Sequence, residues 1–247
     1  MNRNFLISVQ WVQSFVLGLC VSVLSLAVVL QPVFAQNVDN SEKTNMIISF
    51  FRALKLDDEH LVQSLLKSGL NPNVQTEEGF PAISFAMQNG SNRTVRLLLQ
   101  LDQLNVNQAD LNGVTPLMVA ASQNNASWVA SLLSKGAKTK ETGSWTEVHY
   151  AAAAGSVNSL RLLLSAGAVI DAQSPNGTTP LMLAVRENQL KSVELLLEYG
   201  ADLSVVNRSG FDAAGYARMK NNPQIINLIQ KKLLQLEFEK NNPSAAA

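Results

Sequence analysis

The chain has 247 residues, of which 47% are hydrophobic and 15% are charged, and its 19 basic side chains balance 19 acidic ones. This length suits one domain or two, and the hydrophobic share excludes a mostly disordered chain. A formal charge of zero gives no general attraction to nucleic acid or to an anionic membrane. Two His and one Cys cannot by themselves supply four zinc ligands, and a single Cys excludes an internal disulfide.

The N-terminal segment is the most apolar part of the chain. Residues 15–30 form a run of 16 residues that is broken only by Gly and Ser, and Pro32 follows it. This run is shorter than the ~20 residues that a spanning helix prefers. Val33 and Ala35 are small enough for the pockets of a signal peptidase. The pattern predicts a signal peptide over residues 1–35 and a flexible lead over 36–43, with an uncleaved membrane anchor as the alternative.

The next region is self-similar. Residues 113–121, 144–152 and 177–185 share a motif close to Gly-x-Thr-Pro-Leu-x-x-Ala-Ala, and each is followed by a Leu-rich run and a Gly-Ala pair. Related openings extend the series, which begins at Gly79, Gly113, Ser144, Gly177 and Gly210. The intervals are 34, 31, 33 and 33 residues. A period of this length indicates a repeat architecture in which each unit buries its apolar face against its neighbours.

Local signals divide each unit into two helices. Thr115-Pro116 and Thr179-Pro180 are helix starts, since Thr supplies a capping oxygen and Pro suits the first turn. Apolar residues then recur at helical spacing. Between the two helices stand residues that accept a left-handed backbone at low cost, which are Gly90, Asn124, Gly155, Asn188 and Asn221.

With these motifs and this period the chain resembles the ankyrin repeat family, in a bacterial and exported form. The resemblance implies an all-α ankyrin-repeat solenoid of about five to six helix-turn-helix units with short β-hairpin fingers, over residues 44–236. The predicted units are 44–78, 79–112, 113–143, 144–176 and 177–209, followed by a C-terminal cap, 210–236. Residues 237–247 are predicted to be a disordered tail.

The titratable residues do not suggest catalysis. His60 lies beside Glu59 in the first unit, and the resemblance implies that His149 ties neighbouring fingers together. We find no spacing typical of a catalytic triad and no Gly-rich phosphate loop after a strand. The run from Asp57 to Glu59 is typical of a solvated face. We therefore predict no catalytic residue, no cofactor, no metal and no nucleic-acid partner.

The resemblance places partner contacts on the concave side, at the finger tips and the outward side of each first helix. Aromatic side chains are frequent at these positions, although only 6% of the chain is aromatic, and Trp and Tyr dominate binding hot spots. The predicted partner-binding residues are Phe80, Phe85, Trp145, Tyr150, Leu183, Phe211 and Tyr216, with Arg186 and Arg208 beside them.

These observations predict a non-enzymatic module that binds a protein partner through a concave aromatic groove and its finger tips. We expect a monomer in the periplasm, or a secreted one, without membrane contact once the signal peptide has been removed. An inhibitor or immunity-type protein that blocks a specific enzyme is the alternative function. Attachment to the inner membrane is the alternative location.

Overall fold

A computed structural model of the chain describes residues 38–242, with side chains from residue 41 onward, so the predicted signal peptide lies outside the described residues. Within this range the chain forms twelve helices joined by turns. They are α1 (Val38–Lys55), α2 (Glu59–Lys67), α3 (Ala82–Gln88), α4 (Asn92–Gln100), α5 (Pro116–Ser122), α6 (Ala126–Ser134), α7 (Glu147–Ala153), α8 (Val157–Ser165), α9 (Pro180–Arg186), α10 (Leu190–Glu198), α11 (Ala213–Lys220) and α12 (Pro223–Asn241).

The helices pack as a stack of two-helix units. The first helices α3, α5, α7, α9 and α11 form one row in which neighbours are in contact, and each also packs on the second helix of its own unit. The second helices form the other row, in which α6 contacts α8, α8 contacts α10 and α10 contacts α12. This is the predicted all-α solenoid.

The helix starts and the turns follow the local signals. The hydroxyl of Thr115 accepts a hydrogen bond from the N–H of Met118, and Thr179 does the same for Met182. All five residues predicted to adopt a left-handed backbone have positive φ, from 51° at Asn221 to 70° at Gly155. Local sequence therefore determines where each helix begins and where the chain turns back.

The core lies between adjacent units. Each first helix is narrow because Ala residues such as Ala120 and Ala151 are fully buried against the neighbouring helix. The second helices add fully buried aliphatic side chains, among them Leu163 in α8 and Leu196 in α10. No unit can cover this surface alone, so the stacking of units carries the hydrophobic stabilisation.

The fingers are tight turns, so the prediction of β-hairpin fingers is wrong for the described residues. There the only pairing of strand type is a single bridge between Gln75 and Pro81. A typical finger is closed by two bonds, from the N–H of Asp110 to the carbonyl of Val114 and from the N–H of Gly113 to the carbonyl of Asp110. A turn closed over so few residues leaves no length for a ladder.

Side-chain bonds connect successive fingers instead. The Oδ1 atom of Asn73 accepts from the N–H of Asn105 at 2.7 Å, and Asn107 accepts from the N–H of Lys138 at 2.8 Å. Asp171 accepts from the N–H of Asp202 at 3.0 Å in the same way. Each of these bonds spans 31 or 32 residues. A short Asn or Asp side chain thus fixes each finger to the next at one repeat position.

Both ends are more helical than predicted. α1 begins at Val38, inside the predicted flexible lead, and α12 continues to Asn241, inside the predicted disordered tail. Neither extension contains Pro or Gly, and adding residues to an existing helix costs little free energy. No helix of the described part is long and apolar enough to cross a membrane.

Two neighbouring second helices, α4 and α6, are less closely packed than the others. α4 and α6 contact each other less than the neighbouring pairs do, and a cavity of about 390 Å³ lies between them. Leu99 and Trp128 line this cavity together with the cations Arg96 and Lys135. The interval between Gly79 and Gly113 is 34 residues, one more than the two intervals of 33 residues. This longer interval contains α4, one of the two helices beside the cavity.

Candidate partner-binding face

Trp145 is the aromatic side chain that the finger side presents most clearly. It precedes Thr146, the N-cap residue of α7, and 38% of it is exposed. Its ring meets the ring of His149 edge to face, with centroids 5.3 Å apart and planes at 79°. The indole is therefore held in one orientation while much of its surface stays open to a partner.

His149 is the buried support of that ring. Its Nδ1 atom accepts a hydrogen bond from the N–H of Thr146 at 3.1 Å, and its Nε2 atom donates to the carbonyl of Thr178 at 2.9 Å. Burial lowers the pKa of His149 to about 4, although the carbonyls of Thr178 and Ala172 favour the charged ring. The ring is neutral at physiological pH and joins two neighbouring units, as the resemblance implied.

Four of the predicted aromatic residues are half-buried. Phe85 meets Phe51 of α1 edge to face at 5.2 Å, so it supports the first unit as well as facing outward. Burial raises the pKa of the Tyr150 phenol, and the charge of Asp110 raises it further. Phe80 and Phe211 also stand half-buried beside their turns. These side chains form a partly packed border and are less open than Trp145.

Two predicted binding residues lie inside the stack. Leu183 of α9 is buried, and only 3% of Tyr216 is exposed. The phenol oxygen of Tyr216 accepts a hydrogen bond from Nδ2 of Asn207 at 3.0 Å, and its ring packs on Phe211 at 5.2 Å. The prediction of an open surface at both positions is wrong, because the adjacent unit or finger covers them.

The two predicted arginines differ in how far their side chains are exposed. Arg186 ends α9 and pairs with the carboxylate of Glu187 at 2.9 Å, with both side chains mostly covered. Arg208 is exposed at a finger tip, where its backbone N–H donates to the carbonyl of Asn176 at 2.9 Å. Arg208 is thus the one whose charged group stands open to a partner.

Leu111 is a surface residue that the sequence analysis missed. It lies in the turn between Asp110 and Gly113, and 79% of it is exposed. Its side chain lies over Gly79 of the preceding finger. The available signal was an apolar residue at the second position of a turn, where polar residues are usual. With Trp145 it gives two successive fingers an exposed apolar side chain.

Glu147 is a second residue that was missed. It occupies the Pro position of the repeat motif and is fully buried at the start of α7. One carboxylate oxygen accepts from the N–H of Lys140 at 3.2 Å, and the other has no partner. Burial raises its pKa, against the influence of Lys140 and of nearby backbone N–H groups. Lys140 in turn donates to the carbonyl of Gly113 at 2.7 Å, which fixes this finger to the previous one.

The acidic run of the first unit has structural roles. Asp57 accepts hydrogen bonds from the N–H groups of Arg93 and Thr94 at the start of α4. Asp58 caps α2 by accepting from the N–H of Leu61 at 3.0 Å. Carboxylates are favourable at helix N-termini. In the described part of the chain, no three His, Cys, Asp or Glu side chains are grouped as metal ligands would be.

Comparison with known proteins identifies the family. Three copies of the model described as ankyrin repeats match residues 50–143, 131–207 and 148–242. The chain belongs to the ankyrin repeat family, whose repeats are modules for protein–protein interaction. The crystal structure of the human ASB11 ankyrin repeat domain superposes with a TM-score of 0.66 and 25% identity, over 74% of this chain and 82% of that one.

Curated relatives are similar to this chain over part of their length. A putative ankyrin repeat-containing protein of Treponema pallidum is 30% identical over 123 residues, which cover 49% of this chain and 41% of that protein. Human transient receptor potential cation channel subfamily A member 1 is 29% identical over 157 residues, 60% of this chain and 14% of the channel. The tyrosine-protein kinase HTK16 of Hydra vulgaris is 32% identical over 145 residues, 57% of this chain and 19% of the kinase. The chain therefore spans less than half of each of these relatives.

Proposed function

We propose that this chain is a non-enzymatic module that binds a protein partner through its finger side, with Trp145 as the principal contact. The observation that carries the proposal is the fixed and exposed indole. The indole packs edge to face with the ring of His149. The ring of His149 is in turn hydrogen-bonded to the carbonyl of Thr178 in the next unit. A rigid aromatic side chain loses little entropy on binding, which is the property of a hot spot.

The surroundings of Trp145 support the same face. Leu111 is exposed in the preceding finger, and Tyr150, the residue after His149 in α7, lies half-buried. Arg208 adds an exposed cation at a later finger. An apolar centre with charge at its edge is the usual composition of a protein interface. Bonds between neighbouring fingers, such as that from Lys140 to the carbonyl of Gly113, keep this surface in one shape.

Replacing Trp145 by alanine should weaken partner binding by more than ~2 kcal/mol, which is the usual hot-spot threshold. Thermal stability should change little, because much of the ring is exposed. Tyr199→Ala is the matched control, since Tyr199 is an exposed aromatic residue at the end of the second helix α10. Quantitative affinity capture from an extract of the source cells, followed by titration of the recovered partner, measures the difference.

Two outcomes would count against this proposal. If Trp145→Ala unfolds the protein, the indole serves packing between units and the binding face lies elsewhere. If the Trp145 variant stays folded and captures the same protein with unchanged affinity, while Tyr199→Ala loses it, then the partner contacts the row of second helices.

We also propose that the module acts outside the cytoplasm, in the periplasm or as a secreted protein, with residues 1–35 as its signal peptide. The support is the short uncharged apolar run, the Pro32 that follows it and the small residues Val33 and Ala35. We expect the exported protein to begin at Gln36 and to be released by osmotic shock. Mass spectrometry of its N-terminus is the test, and an intact Met1 in the membrane fraction would instead indicate an anchor.

A further inference from the structure

α12 is longer than its place in the stack requires. The second helices α4, α6, α8 and α10 have nine residues each, whereas α12 has 19. The two buried residues of α12, Ile225 and Ile229, lie in its first half. The ten residues from Lys232 to Asn241 extend the helix by about 15 Å at 1.5 Å per residue. We call these ten residues the C-terminal extension.

The C-terminal extension carries large apolar side chains that the described chain leaves exposed. Its large exposed side chains are Leu233, Leu234, Leu236 and Phe238. Solenoids need polar surfaces at their ends to stay soluble and single. Two of these side chains, Leu233 and Leu236, continue the helix face that carries Ile225 and Ile229, and they indicate a surface that is covered in the working protein.

The apolar residues of α12 follow the spacing of a coiled coil. Ile226, Ile229, Leu233 and Leu236 are separated by three, four and three residues, so they form one stripe along the helix. The stack covers Ile229 and half of Ile226, while Leu233 and Leu236 are exposed. One stripe thus meets the stack in the first half of α12 and is free in the C-terminal extension.

The charges beside the stripe fit a second copy of the same helix. Lys232 and Glu239 lie seven residues apart on one flank, and neither belongs to an ion pair among the described residues. If two copies run antiparallel so that Leu233 packs on Leu236 of the other copy, each Lys232 faces a Glu239 of the other copy. The two-fold symmetry of such a contact produces this pair twice.

The stack itself selects the antiparallel orientation. In a parallel pair the two first halves would lie side by side, and there the stripe is already occupied by the chain's own α10 and α11. An antiparallel pair brings together only the C-terminal extensions and leaves the two stacks at opposite ends. We propose that the C-terminal extension is a self-association helix that pairs antiparallel with that of a second copy.

About three helical turns meet in this contact, which is less surface than a standard protein interface buries. We therefore expect a dimer that forms as concentration rises, in place of the monomer that the sequence analysis predicted. Sedimentation velocity of the chain as recovered from its producing cells should show a shift from monomer to dimer mass over a concentration series. Leu236→Glu should abolish the shift. Leu56→Glu should not, since Leu56 is an exposed leucine in the first unit, far along the stack from α12.

A charge exchange tests the pairing itself without removing apolar surface. Lys232→Glu and Glu239→Lys should each weaken self-association at least tenfold, because each variant places like charges opposite one another. An equimolar mixture of the two variants should associate again. Circular dichroism checks that all variants keep their helix content, and Trp145→Ala should dimerise normally, which separates this contact from the proposed partner-binding face.

The results that would overturn the proposal are equally specific. The wild-type chain could sediment as a monomer at every concentration, or Leu236→Glu could leave the dimer intact. Loss of the dimer in Leu56→Glu would place the contact at the first unit instead. Failure of the mixed charge variants to associate would exclude the antiparallel pairing.

Discussion

Replacing Leu163 by alanine should lower the free energy of unfolding by ~2–5 kcal/mol. Leu163 lies in α8 and is fully buried between stacked units, so the shorter side chain leaves a cavity as well as losing apolar burial. Leu196→Ala should have an effect of the same size, because Leu196 is the fully buried equivalent in α10. Urea unfolding followed by circular dichroism measures both losses.

Arg161 provides the matched control on the same helix, since it lies two residues before Leu163 and is exposed. Arg161→Ala should change the free energy of unfolding by no more than about half a kcal/mol, as is usual for surface substitutions. A comparably small effect for Leu163→Ala would mean that the assigned buried face of α8 is wrong.

Acidification should destabilise the fold through His149. In the folded chain burial holds the pKa of this ring at about 4, below its ordinary 6.5. The folded state therefore binds the proton less well than the unfolded state does. The stability that the neutral ring provides is complete above about pH 6.5 and is lost as the pH falls to 4. This difference corresponds to about 3 kcal/mol between pH 7.5 and pH 4.

The pKa of Glu147 also changes on folding, so the measurement needs a reference variant. The raised pKa of Glu147 acts in the opposite direction, because its protonated form suits the buried site and stability is lost as the pH rises through its folded pKa. His149 is the third residue of α7, after the N-cap residue Thr146. His149→Gln removes the imidazole and keeps a residue that suits this position of a helix. The loss of unfolding free energy between pH 7.5 and pH 4 should be larger in the wild-type chain than in His149→Gln, and the excess is the His149 contribution. Parallel pH profiles would contradict the assignment.

The repeated units could be predicted because their signals are local. Thr and Pro at a helix start, and Asn124 or Gly155 at the turn between helices, act within a few residues of chain and recur at nearly constant intervals. The stacking then follows, since each unit exposes the same apolar face. The supporting role of His149 was available from the family resemblance, and its bond to Thr178 confirms it.

The candidate site was harder to predict because exposure depends on neighbouring units. Tyr216 and Trp145 occupy positions that the sequence treats alike as outward-facing. Asn207, in the turn just before α11, bonds the phenol of Tyr216, whereas no side chain of the described residues makes a comparable bond over Trp145. The missed Leu111 has the same explanation, since its position over Gly79 depends on how two fingers meet.

The ends of the chain departed from prediction for a related reason. Residues 237–247 contain no repeat motif, so periodicity gives no signal for where α12 stops, and the helix continues until Asn241, shortly before Pro243. α1 extends back to Val38 through a segment that also lacks Pro and Gly. Composition alone described both segments as flexible, although residues such as Leu, Lys and Glu favour helix once a helix has begun.

Hydrogen exchange of the chain with and without its captured partner tests the central claim most directly, because it reports on both faces at once. If the finger side binds the partner, amide exchange should slow in residues 109–116 and 142–150, which include Leu111 and Trp145. The second helices α6 and α8 should exchange at unchanged rates. Slowed exchange confined to α6 and α8, with residues 109–116 and 142–150 unaffected, would contradict the account.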